Sequence, residues 1–172
     1  SKEAFNIDGF GKKIIENFWK LNLIKYPQDI FQLDYKKIEN LDGWGKLSVE
    51  NLKYSINEKK TISFERFIYA LGIRHIGLEN AKLLAKYFTT FSKFRDLSKN
   101  HKFDDLMNID GIGETQVNSI KNFFFNEMNL KVLNELDKIL SINNAVLQRE
   151  NGILNKKTFL VTGKLNGVSR AE

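Results

Sequence analysis

Four short stretches set glycines between apolar residues: IDGFG at residues 7–11, LDGWG at 41–45, IRHIG at 73–77 and IDGIG at 109–113. In a turn of the form apolar-x-Gly-apolar-Gly, the first glycine can take positive φ without a Cβ clash. The second keeps the surface bare, so that another group can come close. Residues after the second glycine open a helix, whose first N–H groups lack internal partners and sit at the positive end of the helix dipole. Such a place suits a phosphate. Nearby side chains add donors: Lys12 and Lys13 in the first copy, Lys46 in the second, Arg74 and His75 in the third, and the neutral hydroxyl of Thr115 in the fourth. The candidate phosphate-binding set is therefore Gly9, Gly11, Lys12, Lys13, Gly43, Gly45, Lys46, Arg74, His75, Gly77, Gly111, Gly113 and Thr115. No residue is assigned a catalytic or metal-binding role.

A single G-x-G is a weak signal, because short glycine motifs match by accident and two helices need a turn in any case. Repetition changes the weight. The last glycines of the four copies are Gly11, Gly45, Gly77 and Gly113, so the copies stand 34, 32 and 36 residues apart, and turns that only connect helices have no reason to repeat one pattern. The copies are not equal. The third carries His75 where the others carry glycine, and in the fourth Glu114 follows Gly113; these two are expected to bind less well, or differently.

The elements that would hold these turns are helices. Ile14, Ile15, Phe18 and Trp19 follow the first turn, Leu83, Leu84, Tyr87 and Phe88 the third, and Val117, Ile120, Phe123 and Phe124 the fourth. All have amphipathic helical spacing, and Phe64, Phe67, Ile68 and Leu71 form a similar stripe leading into the third turn. Pro27 is expected to end one helix, with Asp29 capping the next. From about Ser141 the chain turns polar and asparagine-rich, reading as a linker over residues 141–156. The final stretch, 157–172, holds a short strand-like run at Phe159–Val161 ended by Gly163, too short for a domain of its own.

Composition narrows the class of function. The 172 residues carry 42% hydrophobic and 28% charged side chains, the balance of a folded globular chain, and a formal net charge of +6 favours polyanionic partners. With no cysteine, disulfides, thiolate zinc sites and cysteine nucleophiles are excluded. The start lacks the apolar core of a signal peptide, and no apolar run approaches the roughly 20 residues of a membrane span, so a cytoplasmic, non-membrane setting is expected.

In order, NIDGFGKKII, NLDGWGKLSVENL, IYALGIRHIGLENAKLLAKYF and NIDGIGETQVNSIKNFF resemble the four helix-hairpin-helix motifs of the bacterial NAD-dependent DNA ligases. The Leu71–His75 string is the most specific part, and KTFLVTGKLNGVSRAE resembles the first strand and turn of the BRCT domain that closes those enzymes. The resemblance implies an all-α, tandem helix-hairpin-helix domain built from two double-hairpin units, 1–60 and 61–140, then the linker at 141–156 and an incomplete α/β BRCT start at 157–172. It implies a fragment without cofactor or catalytic residues of its own. The adenylated lysine, the oligonucleotide-binding fold and the four-cysteine zinc module, and with them NAD, magnesium and zinc, would belong to other parts of the parent enzyme. The implied partners are duplex DNA, nicked, and the other ligase domains. The implied role is sequence-independent phosphate binding during nick sealing in replication and repair, in the bacterial cytoplasm at the nucleoid.

Two other functions are compatible with single features. A helix-hairpin-helix glycosylase needs one hairpin and a catalytic aspartate some two dozen residues later, a distance that Asp137 meets. A protein-interaction scaffold would use the hairpins only to pack helices. Other residues have plain readings: Trp44 as a packed core aromatic rather than a groove wedge, His101 as a loop residue, Phe123, Phe124 and Phe125 as core and helix contacts, and Asp104 with Asp105 as a helix cap. Thr162–Gly163 matches locally the phosphate-reading Ser/Thr-Gly of some BRCT domains.

Overall fold

The structure, a computed structural model, describes residues 4–145. The strand expected at Phe159–Val161, the Thr162–Gly163 pair and the BRCT start as a whole lie outside the described residues.

The chain runs α1 (Lys12–Lys20), a 3-10 segment (Pro27–Gln32), α2 (Tyr35–Glu39), α3 (Lys46–Glu58), β1 (Thr61–Ser63), α4 (Phe64–Ala70), α5 (Leu78–Phe88), α6 (Phe91–Arg95), α7 (Leu97–Asn100), a second 3-10 segment (Asp104–Asn108), α8 (Glu114–Phe124), α9 (Glu127–Ile139) and β2 (Ser141–Asn143). It is an α-helical fold, with one two-stranded parallel sheet in which Thr61, Ile62 and Ser63 pair with Ser141, Ile142 and Asn143. Helix entries follow local chemistry. Asp34, Thr90 and Asn126 cap α2, α6 and α9 by accepting from the backbone N–H of Lys37, Lys93 and Asn129.

One hydrophobic core joins both halves of the chain. Phe18, Phe64, Phe67 and Phe94 are fully buried. Around Phe94 the rings of Phe64, Phe88 and Phe124 stand edge-on with centroids 6.0, 5.4 and 5.1 Å away, an arrangement that adds about 0.5–1.5 kcal/mol per pair beyond area burial. Helix α9 packs on the first 3-10 segment, so the C-terminal helix braces the region that follows the first turn. Among the described residues, no buried residue is polar or charged and no helix is long and apolar enough to cross a membrane.

Several local expectations change. Helix α1 stops at Lys20, with Asn22 at φ 55, so Pro27 does not end it. Pro27 opens the 3-10 segment, where its missing N–H costs nothing, and the Asp29 carboxylate accepts from the N–H of Lys25 and Tyr26, both at 2.8 Å. Asp104 and Asp105 sit in the first turn of a 3-10 segment whose N-cap is Phe103, so they favour the helix dipole without capping. Phe124 is buried and Phe123 packs against the core, but Phe125 is 55% exposed and stacks on His101 with centroids 5.5 Å apart. The start of the segment read as a linker, Ser141–Asn143, forms β2.

Candidate nucleic-acid interface

Each of the four turns is closed by the same backbone bond. Phe10 N–H donates to the Ile7 carbonyl at 3.2 Å, Trp44 to Leu41 at 3.1 Å, Ile76 to Ile73 at 3.1 Å and Ile112 to Ile109 at 3.0 Å. That closure puts the third turn residue in the left-handed region in every copy: Gly9 at φ 72, Gly43 at 79, His75 at 61 and Gly111 at 89. His75 therefore adopts the glycine conformation and keeps the turn shape, at the steric cost glycine escapes. The second glycine is extended in all four and serves as N-cap, with α1, α3, α5 and α8 beginning at the next residue.

The apolar turn residues anchor the motif. Phe10, Ile73, Ile76 and Ile112 are buried, and Ile7, Leu41, Trp44 and Ile109 are half-buried against the same core. Trp44 lies 5.4 Å from the ring of Phe18, as a packed core aromatic should. In contrast, all thirteen candidate residues are exposed except Gly113, which is half-buried. A Cβ built on Gly9, Gly11, Gly43 or Gly45 would meet nothing within 4 Å. At these four positions the bare backbone faces open space, leaving room for a ligand oxygen.

The turns come in two pairs. Gly9 and Ile14 from the first and Gly43, Trp44 and Ser48 from the second line one cleft of about 560 Å³. The third and fourth turns meet directly: the Asn80 carboxamide accepts from Gly77 N–H at 3.2 Å and donates to the Gly111 carbonyl at 3.3 Å. A Cβ on Gly111 would stand 2.9 Å from Leu83 Cδ1, so this glycine is needed for packing between turns as well as for its φ.

Asn80 belongs to a set of turn-capping residues that glycine spacing does not reveal. It lies three residues after the second glycine, as do Ser48 and Gln116, whose side-chain oxygens accept from Gly45 N–H at 2.9 Å and Gly113 N–H at 3.1 Å. This is the backbone half of a capping box, and the polar residue at that spacing was its signal. The first copy has Ile14 there.

Charge divides the pairs again. Lys12, Lys13 and Lys46 stand in the first turns of α1 and α3, which hold no acidic residue, whereas Glu79 and Glu114 stand in the first turns of α5 and α8. Lysine at a helix N-terminus opposes the dipole. Such a conflict marks a position selected for something other than stability. Lys12 is 89% exposed and only loosely paired with Glu16 at 3.7 Å, which leaves its charge available to a ligand.

Residues 66–133 match the family described as helix-hairpin-helix motif. The whole chain aligns with proteins named DNA ligase: 64% identical over 172 residues to that of Pelagibacter ubique, 42% over 184 residues to that of Rickettsia canadensis and 42% over 182 residues to that of Ehrlichia canis. This chain is homologous to a segment of DNA ligases. All of it is covered in each comparison, and it spans about a quarter of the length of those relatives, 25 to 27%. Asp137 is accounted for by structure: it forms a half-buried ion pair with Arg95, tying α9 to α6. Arg74, His75 and Thr115 lie exposed beside the third and fourth turns.

Proposed function

We propose that this chain is the helix-hairpin-helix part of an NAD-dependent DNA ligase and that it grips duplex DNA through backbone phosphates, without base preference, on either side of a nick. The catalytic lysine, NAD, magnesium, zinc and a complete BRCT domain belong in this reading to the remainder of the parent protein, which acts in replication and repair. The observation that carries the proposal is the open, glycine-lined surface of the first two turns beside Lys12, Lys13 and Lys46. Backbone donors directed at phosphates give affinity without sequence reading.

The test is titration of labelled nicked and intact duplexes of unrelated sequence across a range of salt. If each hairpin meets one or two phosphates, log K falls against log salt with a slope of roughly −4 to −7, alike for all sequences. A flat response with the chain folded defeats the proposal. For the fourth turn a packing role has support of its own, since Gly111 is engaged by Asn80 and Leu83. The first pair is therefore the principal phosphate grip.

A further inference from the structure

Among the described residues, the two most exposed large apolar side chains belong to one helix: Leu47 is 72% exposed and Tyr54 68%. Both lie outside the stripe that α3 turns to the core, Val49, Leu52 and Ile56. Isolated exposed leucines are common on soluble chains. Leu47 differs by its place. It is the second residue of α3, next to Lys46 and two positions after the N-cap Gly45. It therefore stands at the rim of the surface where a Cβ on Gly43 or Gly45 would meet nothing within 4 Å.

The repeat isolates it further. Two positions after the second glycine the other copies hold Lys13, Glu79 and Thr115, all polar and all exposed. Packing of a hairpin thus asks for no apolar side chain here. Capping does not ask for one either, since Ser48 supplies the acceptor for Gly45 N–H, and leucine carries no charge to favour the helix dipole. What remains is contact with the ligand of the turn. A phosphate held on the turn's amides is joined covalently to a deoxyribose on each side, and the carbon face of that sugar is the apolar surface nearest to it.

We infer that Leu47 packs on the deoxyribose next to the phosphate held by the second turn, adding an apolar contact that Lys13, Glu79 and Thr115 do not make at the same place. The inference rests on the phosphate-gripping reading above and deepens it. Every nucleotide of a DNA duplex carries the sugar, so the contact strengthens binding without reading bases. Tyr54 lies seven residues, about 10 Å, further along α3 and is beyond the sugar's reach. A protein partner laid along α3 would instead cover both residues.

The test is duplex titration across salt with the native chain, Leu47→Ala, Leu47→Met and Tyr54→Ala, each checked for folding by circular dichroism. Leu47→Ala weakens binding on the order of fivefold at every salt concentration, with the salt slope unchanged because no charge is lost. Leu47→Met restores most of the loss, and Tyr54→Ala binds as the native chain does. Native affinity in folded Leu47→Ala overturns the inference while leaving the phosphate grip standing. An altered slope in Leu47→Ala overturns it too, because the residue would then act through the placing of charge at the turn. Equal losses in Leu47→Ala and Tyr54→Ala overturn it in favour of a contact that runs the length of α3. A native chain that binds no duplex defeats the proposed function, and this inference with it.

Discussion

Asn80 fastens the third turn to the fourth by holding the Gly111 carbonyl at 3.3 Å while its own carboxamide oxygen receives the Gly77 N–H. Asn80→Ala removes both bonds and is expected to cost about 1–2 kcal/mol. Asn80→Asp keeps the acceptor, loses the donor and falls between the two. Urea unfolding of the three proteins checks the order. The first copy has Ile14 at this position, and Ile14→Asn is expected to give no comparable gain.

The two glycines of a turn have different duties. Gly43→Ala forces a Cβ into the left-handed region at φ 79 and is expected to cost about 1–2 kcal/mol despite the open space around it. Gly11→Ala has an ordinary φ of −78 and open space, so a weaker N-cap and a less flexible unfolded chain nearly cancel. The prediction is unchanged stability with weakened DNA binding for Gly11→Ala. Thermal melts paired with DNA titration separate the two effects, and unchanged affinity at Gly11 would remove its backbone from the phosphate contact.

Lysines set against a helix dipole make stability and binding move in opposite directions. Lys13→Gln and Lys46→Gln are each expected to raise stability by a few tenths of a kcal/mol. Each is also expected to make the salt slope shallower by about 0.9. Lys131→Gln, on the exposed face of α9, serves as the control and changes neither. Equal slopes for all three variants would show that the first-turn lysines do not meet phosphates.

Asp137 stands as a structural residue. Its pair with Arg95 leaves the two side chains 34% and 31% exposed, between the surface and buried regimes. Asp137→Asn is therefore expected to cost about 1–2 kcal/mol, with DNA affinity unchanged at temperatures where the variant is folded. Base release from a damaged duplex by the native chain, abolished in Asp137→Asn, would reverse this assignment.

The turns and their following helices were legible in sequence because they rest on local rules: glycine where φ is positive, apolar residues at helical spacing, a helix starting at the next residue. His75 tested that rule and kept the conformation, since the closing bond from Ile76 to Ile73 and the buried flanking isoleucines over-determine it. Phe125 was misread because it continues the run of Phe123 and Phe124 one position past the end of α8, where the helical stripe no longer governs direction. The β1–β2 pairing was invisible for another reason. Three-residue strands from distant parts of the chain carry no local pattern that names their partner. Asn80 was hidden by its double role, since spacing reveals a cap while its bond to Gly111 depends on how two hairpins come together.

The small parallel sheet also has a bearing on how the molecule assembles in time. Ser141 N–H binds the Lys60 carbonyl at 2.8 Å, at the start of the chain's second half, and Ala145 N–H binds the Thr89 carbonyl at 2.9 Å, just past α5. Closing a loop of about 80 residues costs entropy that only the packing of α4 through α9 can repay, so this clasp is expected to form late. Contacts absent from the folding transition state act on the rate of opening. The three residues of β2 then govern mainly how long the second half stays shut, and they do so far from any turn that meets a ligand.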